Sequence, residues 1–503
     1  MNSSDRPPSA LKDARALALL GVAQGLTLFA GLLRWKIIAV LLGPVGAGIV
    51  GLLDQIAQVV LQLGSMSLPT VALRYLGIAH HEGTALFGRL YRGFFFAIIA
   101  GGTIAAAVAT GLFLFQRSIF GRGLESYGLP LALALFAIPL LAAANLTRNA
   151  LATLGRHRDA AIAMTASAVG VAAAAYFGVR WGGITGLYAA TFAASALVVV
   201  FLDLVLRRDP RADATGEIVR SISYFFAQPG VLRYSATLCV VGFTVPLSYT
   251  ILRASVLESL GPAAAGFLAA VLTVATGARS VFTQASTQLL IPRASRAASK
   301  AERTAEVDSY LRTLVVAMLI AALPIALFPG EIVRLLFSGK FLPAVLFLGV
   351  FVLGELMMAF GDAYRILMLG FDDLAGYLAT TVTAPTIVML GAAFVVARFG
   401  ILGLGVLHIF AAVFGLIVSQ VRLRQRHGTS TTRRVMALYG MMVVLVSAAL
   451  YLGATVSEAS LGTWAWKLTV GLLFAATGIR MLPAAERVAL RRFLPELGSK
   501  RSP

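Results

Sequence analysis

Acidic residues are scarce: the 503-residue chain holds 22 Asp and Glu against 42 Lys and Arg, and charged residues of both signs make up only 13% of it. With 59% of its residues hydrophobic and a mean hydropathy of +0.86, it cannot cover its apolar surface with polar side chains, which excludes a water-soluble globule. Cysteine is almost absent. The lone Cys239 sits in an apolar segment, so a disulfide framework and a cysteine-based metal site are excluded. Strand-like alternation is missing too, which favours a helical bundle over a barrel. Of the five histidines, His80 and His81 have only Glu82 beside them and read as a solvated loop rather than a metal site; no cofactor is expected. The net charge of +20 is spread as short clusters between apolar runs, so it points to membrane topology and not to nucleic acid.

Apolar runs long enough to cross a bilayer, about 20 residues each, fill nearly the whole chain. Fourteen are placed, at 16–42, 47–73, 93–115, 128–147, 160–179, 184–206, 232–252, 262–291, 312–329, 343–364, 376–397, 400–421, 435–456 and 462–481. The polar stretch 1–15 is a tail, and the run that follows it is expected to be a retained first span, because it continues past any small-residue cleavage site to Leu42 and its loss would spoil the parity of the spans. Of the 42 basic residues, 31 fall in the tails and in alternate loops on one side, among them Arg74, Arg148, Arg208, Arg293, Arg365 and Arg433. Arg156, His157, Arg158 and the RLRQRH run are read as further orientation signals. Both termini are therefore expected in the cytoplasm.

The chain is also a duplication. LLGPVGAGIVGLLDQ, from Leu41, returns from Leu260 as LGPAAAGFLAAVLT, so that Gly43, Pro44, Ala47 and Gly48 match Gly261, Pro262, Ala265 and Gly266; Pro69 and Arg74 find counterparts in Pro292 and Arg296. Each copy reads as a Gly-Pro turn feeding a long apolar helix that a proline and a basic cluster bring to an end. A second echo pairs the stretch ending at Gly155 with that ending at Gly370. Six spans per copy is an even number, so both copies enter from the same side and the repeat is parallel. The expected organisation is a six-span lobe over 16–206, an amphipathic cytoplasmic connector over 207–231, and a second lobe over 232–421. A basic loop with an accessory helix pair over 422–482 and a basic tail over 483–503 complete it.

Charges inside spans cost roughly 2.5 to 3.5 kcal/mol each to insert and so face a partner or a cavity. Arg279, near the middle of span eight, is the first candidate for binding an anionic substrate. Arg34 and Lys36 in span one are its expected support, with headgroup snorkelling as the competing reading. Asp54, in span two, is placed at the corresponding point of the other copy, so a structural Arg279–Asp54 pair is the alternative to a binding role. Glu355, deep in span ten, is the candidate for ion coupling, with a buried neutral structural acid as the competing reading. His408 has no acidic neighbour in sequence and reads as a packing residue.

The phrases KIIAVLLGPVGAG, QLLIPRAS and LFSGKFLPA, taken with the duplication and the fourteen spans, resemble the polysaccharide branch of the multidrug/oligosaccharidyl-lipid/polysaccharide exporter superfamily. The resemblance covers essentially the whole chain. It implies a two-lobed, V-shaped transporter of a bacterial inner membrane that carries a polyprenyl-diphosphate-linked oligosaccharide outward by alternating access. It also implies membrane lipids, and glycosyltransferases and a polymerase of the same pathway, as partners.

Three other functions compete. A lipid II flippase shares the charge logic; a cation-coupled drug exporter would favour acids over arginines in its cavity. A membrane polymerase or glycosyltransferase would need larger loops than this chain has, and an enzyme is not expected.

Overall fold

The computed structural model describes residues 9–82, 84–116, 122–207, 230–296, 300–428, 431–455 and 461–483, and among them every regular element is helical. The first six helices are α1 (Ser9–Ser65), α2 (Leu68–Glu82), α3 (Thr84–Phe115), α4 (Gly128–Phe136), α5 (Ile138–Thr153) and α6 (His157–Arg207). They are followed by α7 (Val231–Leu260), α8 (Pro262–Arg296), α9 (Lys300–Leu327) and α10 (Pro329–Leu336). The last four are α11 (Val345–Gly370), α12 (Leu374–His427), α13 (Arg433–Thr455) and α14 (Leu461–Arg480).

Three helices are far longer than one bilayer crossing: α1, α6 and α12 hold 57, 51 and 54 residues. Each is broken near its middle by a glycine in the left-handed region, Gly43 at φ 67°, Gly183 at φ 57° and Gly400 at φ 62°. The arms then run back along each other, bringing Arg34 to Asp54, Gly178 to Gly186 and Gly391 to Leu407. Ten stretches among the described residues are long and apolar enough to cross a membrane. Counting the two arms of each broken helix makes thirteen; the 20-residue α14, expected as the fourteenth, is not among these stretches. Large apolar side chains such as Phe115, Trp181, Leu390 and Leu472 are exposed along these helices, as a surface solvated by lipid requires. The molecule is an all-α, multi-pass membrane protein.

Contacts divide the chain into two compact units. The first comprises Met1–Ala269 with Leu336–Ser338, the second Ala270–Leu335 with Gly339–Pro503. This division falls inside α8, whereas the sequence repeat begins with α7; the reason is that α7 packs along α1 and α2. The expected connector over 207–231 lies almost wholly outside the described residues. In the first unit α1 packs on α3, α6 and α7, and α5 on α2, α3 and α6, around Ile38, Leu52, Phe87 and Phe94. In the second, α11 packs on α12 and α13, and α9 on α13 and α14, around Phe341, Phe351, Phe360 and Tyr364.

The duplicated motif has a visible purpose in the first unit. Gly43 and Gly261 both take positive φ, 67° and 84°, and Pro44 and Pro262 start the helical arms that follow. The two starts cross closely: a Cβ on Gly48 would collide with the Pro262 carbonyl oxygen, and a Cβ on Gly266 with that of Pro44. Each copy thus supplies the glycine that accommodates the other's proline turn.

Three sequence expectations change. The prolines after the motif do not end the helices: α1 stops at Ser65, where Met66 and Ser67 take positive φ, and Pro69 sits in the first turn of α2, while α8 runs through Pro292. His80 and His81 belong to the last turn of α2 rather than to a loop. In the register fixed by the Gly-Pro motif, Asp54 corresponds to Leu272 and Arg279 to Leu61, so the two charges lie about two helical turns apart along the repeat.

Candidate functional site

In the first unit the break at Gly43 sets Arg34 and Asp54 nine residues before and eleven after one turn, at similar depth on facing arms of α1. They form a two-bonded ion pair, Arg34 Nη1 to Asp54 Oδ2 at 2.7 Å and Nη2 to Oδ1 at 3.0 Å. Tyr188 of α6 adds a hydroxyl 2.9 Å from Asp54 Oδ1. From α7 comes a residue the sequence reading missed. Arg253 is buried and donates through Nη1 to the Gly51 carbonyl, and its Nε has no hydrogen-bond partner among the described residues. Asp54 thus faces two guanidinium groups, one of them paired with it in contact, and the cluster carries one surplus positive charge. Lys36 lies half-buried two residues beyond Arg34.

The second unit builds its cluster on α11, where every residue from Gly354 to Met368 is buried. Glu355 and Asp362 lie seven residues apart, two turns along one face, and Arg365 follows one turn later. Arg279 of α8 reaches both acids: Nε and Nη2 bond Asp362 Oδ2 and Oδ1 at 2.8 and 3.1 Å, and Nη1 bonds Glu355 Oε2 at 3.1 Å. Asp362 also accepts from Thr283 Oγ1 at 2.8 Å and from Arg365, whose Nη2 donates in addition to the Met358 carbonyl. On the other side of Glu355, His408 Nε2 of α12 lies 3.0 Å from Oε1. Gly354 permits this approach, since a Cβ there would fall 2.5 Å from His408 Cδ2.

Arg279, Asp54, Arg34 and Glu355 are therefore all placed in ion-paired clusters. Arg279 and Asp54 each find a counter-charge within their own unit, which replaces the expected Arg279–Asp54 pair. His408 is not a packing residue without an acidic neighbour: the neighbour comes from α11, 53 positions away in sequence. Arg365 is buried and paired with Asp362, so it is no loop signal for orientation. The i, i+7, i+10 spacing of Glu355, Asp362 and Arg365 was the signal that would have revealed this cluster, had the span been carried past residue 364. Arg253 likewise lies one residue beyond the span end placed at 252. Among the described residues no group of His, Cys, Asp and Glu could hold a metal ion.

Similarity to known proteins is structural. No family profile matches the sequence, and no curated protein matches it. Among solved structures, a lipid II flippase, MurJ, in an inward closed conformation superposes with a TM-score of 0.68 at 10% identity, covering 92% of this chain and 98% of that one. An inward-facing multidrug resistance MATE family transporter of the MOP superfamily gives 0.60 at 13% identity, over 83% of this chain and all of the other. A MATE structure in a straight conformation gives 0.57 at 15% identity, over 83% and 97%. The fold of this chain is that of MOP-superfamily transporters.

Proposed function

We propose that this protein is a flippase that moves a polyprenyl-diphosphate-linked oligosaccharide repeat unit from the cytoplasmic to the outer leaflet by alternating access. The observation that carries the reading is the surplus guanidinium of the first unit: Arg253 is buried beside an Arg34–Asp54 pair that is already balanced, whereas in the second unit Arg279 and Arg365 stand against Glu355 and Asp362. Holding an unbalanced guanidinium in a bilayer-spanning bundle costs several kcal/mol, which a mobile anion offsets when it arrives. A diphosphate suits the task, because guanidinium groups grip its oxygens bidentately. Substrate contacts are assigned to Arg279 and Arg34, with Lys36 and Asp54 at the edge of the site, and ion coupling to Glu355. Both tails are assigned to the cytoplasm of a bacterial inner membrane.

A specific observation favours a second reading, lipid II as the cargo. The similarity to the lipid II flippase covers 92% of this chain, more than residues 1–427 could supply, so it extends past α12 toward the last two helices. The two MATE structures match 83%. Proteoliposomes loaded with fluorescent polyprenyl-diphosphate oligosaccharide, lipid II or a cationic dye separate the cases. Movement of the oligosaccharide lipid ahead of the other two is expected; movement of the dye alone would overturn the proposal.

A further inference from the structure

Glu355 sits between the Arg279 guanidinium and the His408 imidazole, and the first of these is required elsewhere if Arg279 receives an anion. Asp362 is saturated by Arg279, Arg365 and Thr283, and it keeps its charge whatever happens to Glu355. Glu355 is 1% exposed and holds the guanidinium through one 3.1 Å bond to Nη1. Arg279, at 19%, is the most exposed of the five charged or titratable groups; its Nη1 bonds Glu355, while Nε and Nη2 both bond Asp362. With His408 neutral, two arginines balance two carboxylates.

We infer that an anion bound at Arg279 displaces Glu355 from Nη1 and is taken up together with one proton, which lodges on the Glu355–His408 pair. This rests on the assignment of Arg279 to the substrate and adds what the pair does during binding. An anion that takes Nη1 leaves a carboxylate buried among too few cations, and such a group is costly unless it is neutralised. His408 Nε2, 3.0 Å away, is the one proton-exchanging partner in contact range on the far side of Glu355. Of the other titratable groups, Asp308 of α9 accepts from the Thr432 backbone N–H, Tyr364 of α11 bonds Thr431, Tyr439 of α13 stacks its ring on Phe360 at 4.2 Å with its hydroxyl unbonded among the described residues, and Lys340, before α11, is exposed. The proton comes from water and returns to water when the anion leaves and Glu355 recovers Nη1, so no other reactant is needed.

The probe is P1,P2-dimethyl diphosphate, whose two charges do not titrate between pH 5 and 8, offered to the purified full chain in detergent. Binding to the wild type should weaken by up to about tenfold per pH unit as pH rises, with about one proton taken up per anion as read by an indicator in weak buffer. Glu355→Gln should bind at least as tightly as the wild type at low pH, with no pH slope; Arg279→Gln should not bind. Binding that requires Arg279 but is flat with pH and takes up no proton would overturn the inference and leave the substrate assignment standing. Absence of binding to folded wild-type protein at every pH, or binding that survives Arg279→Gln, would overturn both.

Discussion

Gly266 lies so close to the Pro44 carbonyl oxygen that no side chain fits between them, and Gly48 stands in the same relation to Pro262. Gly266→Ala should destabilise the detergent-solubilised protein by about 1–3 kcal/mol for the overpacked crossing, read as a lower melting temperature. Gly277, on the same helix, has open space beside it, and Gly277→Ala should stabilise by up to about 1 kcal/mol through helix propensity alone. Equal effects of the two substitutions would show that the crossing is not tight.

Arg253 is a buried cation whose only hydrogen bond among those described goes to a backbone carbonyl. Replacing it with Met leaves the Arg34–Asp54 pair neutral, so stability should rise by about 1–3 kcal/mol while substrate transport falls. Thermal melting and a transport assay on the same preparation check this; a variant both less stable and fully active would contradict it.

At the joint between α11 and α12, Asp373 accepts the Gly376 N–H at 2.8 Å, with His427 Nε2 at 3.2 Å and Arg422 at 3.8 Å. Partial burial pushes its carboxyl up, but the Gly376 amide, His427 and Arg422 outweigh that and hold it below the usual carboxylate range. A depressed acid contributes stability above its unfolded pKa and loses it as pH falls through the folded one. Asp373→Asn keeps a capping side chain but loses its charge, so it should cost about 0.3–1 kcal/mol at neutral pH, and the difference from wild type should vanish on acidification below the carboxylate range. Melting curves across that pH range measure it.

Much of the fold was legible because bilayer-length apolar runs and Gly-Pro turns are local signals. The breaks at Gly43, Gly183 and Gly400 fall where the apolar pattern paused, and Arg34, Asp54, Arg279 and Glu355 stood out as charges in apolar surroundings. What was hidden is partnership. That Arg34 belongs to Asp54 follows only from folding α1 back at Gly43. That Glu355 has His408 depends on two helices meeting at Gly354. Arg253 and Arg365 were missed because span ends drawn by hydropathy stop at a charge, and these helices carry buried charges past that point; Asp362 lies inside its span and was passed over two residues from its end.

As proposed, the charges around Arg279 serve an anionic cargo and not merely each other. Arg279→Gln alone leaves Glu355 and Asp362 facing one arginine, and should lower protein abundance in the membrane and abolish transport. Adding Glu355→Gln leaves the balanced Asp362–Arg365 pair. The direct measurement is membrane abundance and transport of a diphosphate-linked oligosaccharide lipid for the single and double variants. The account predicts that the double variant recovers abundance and remains inactive; recovery of both would contradict it.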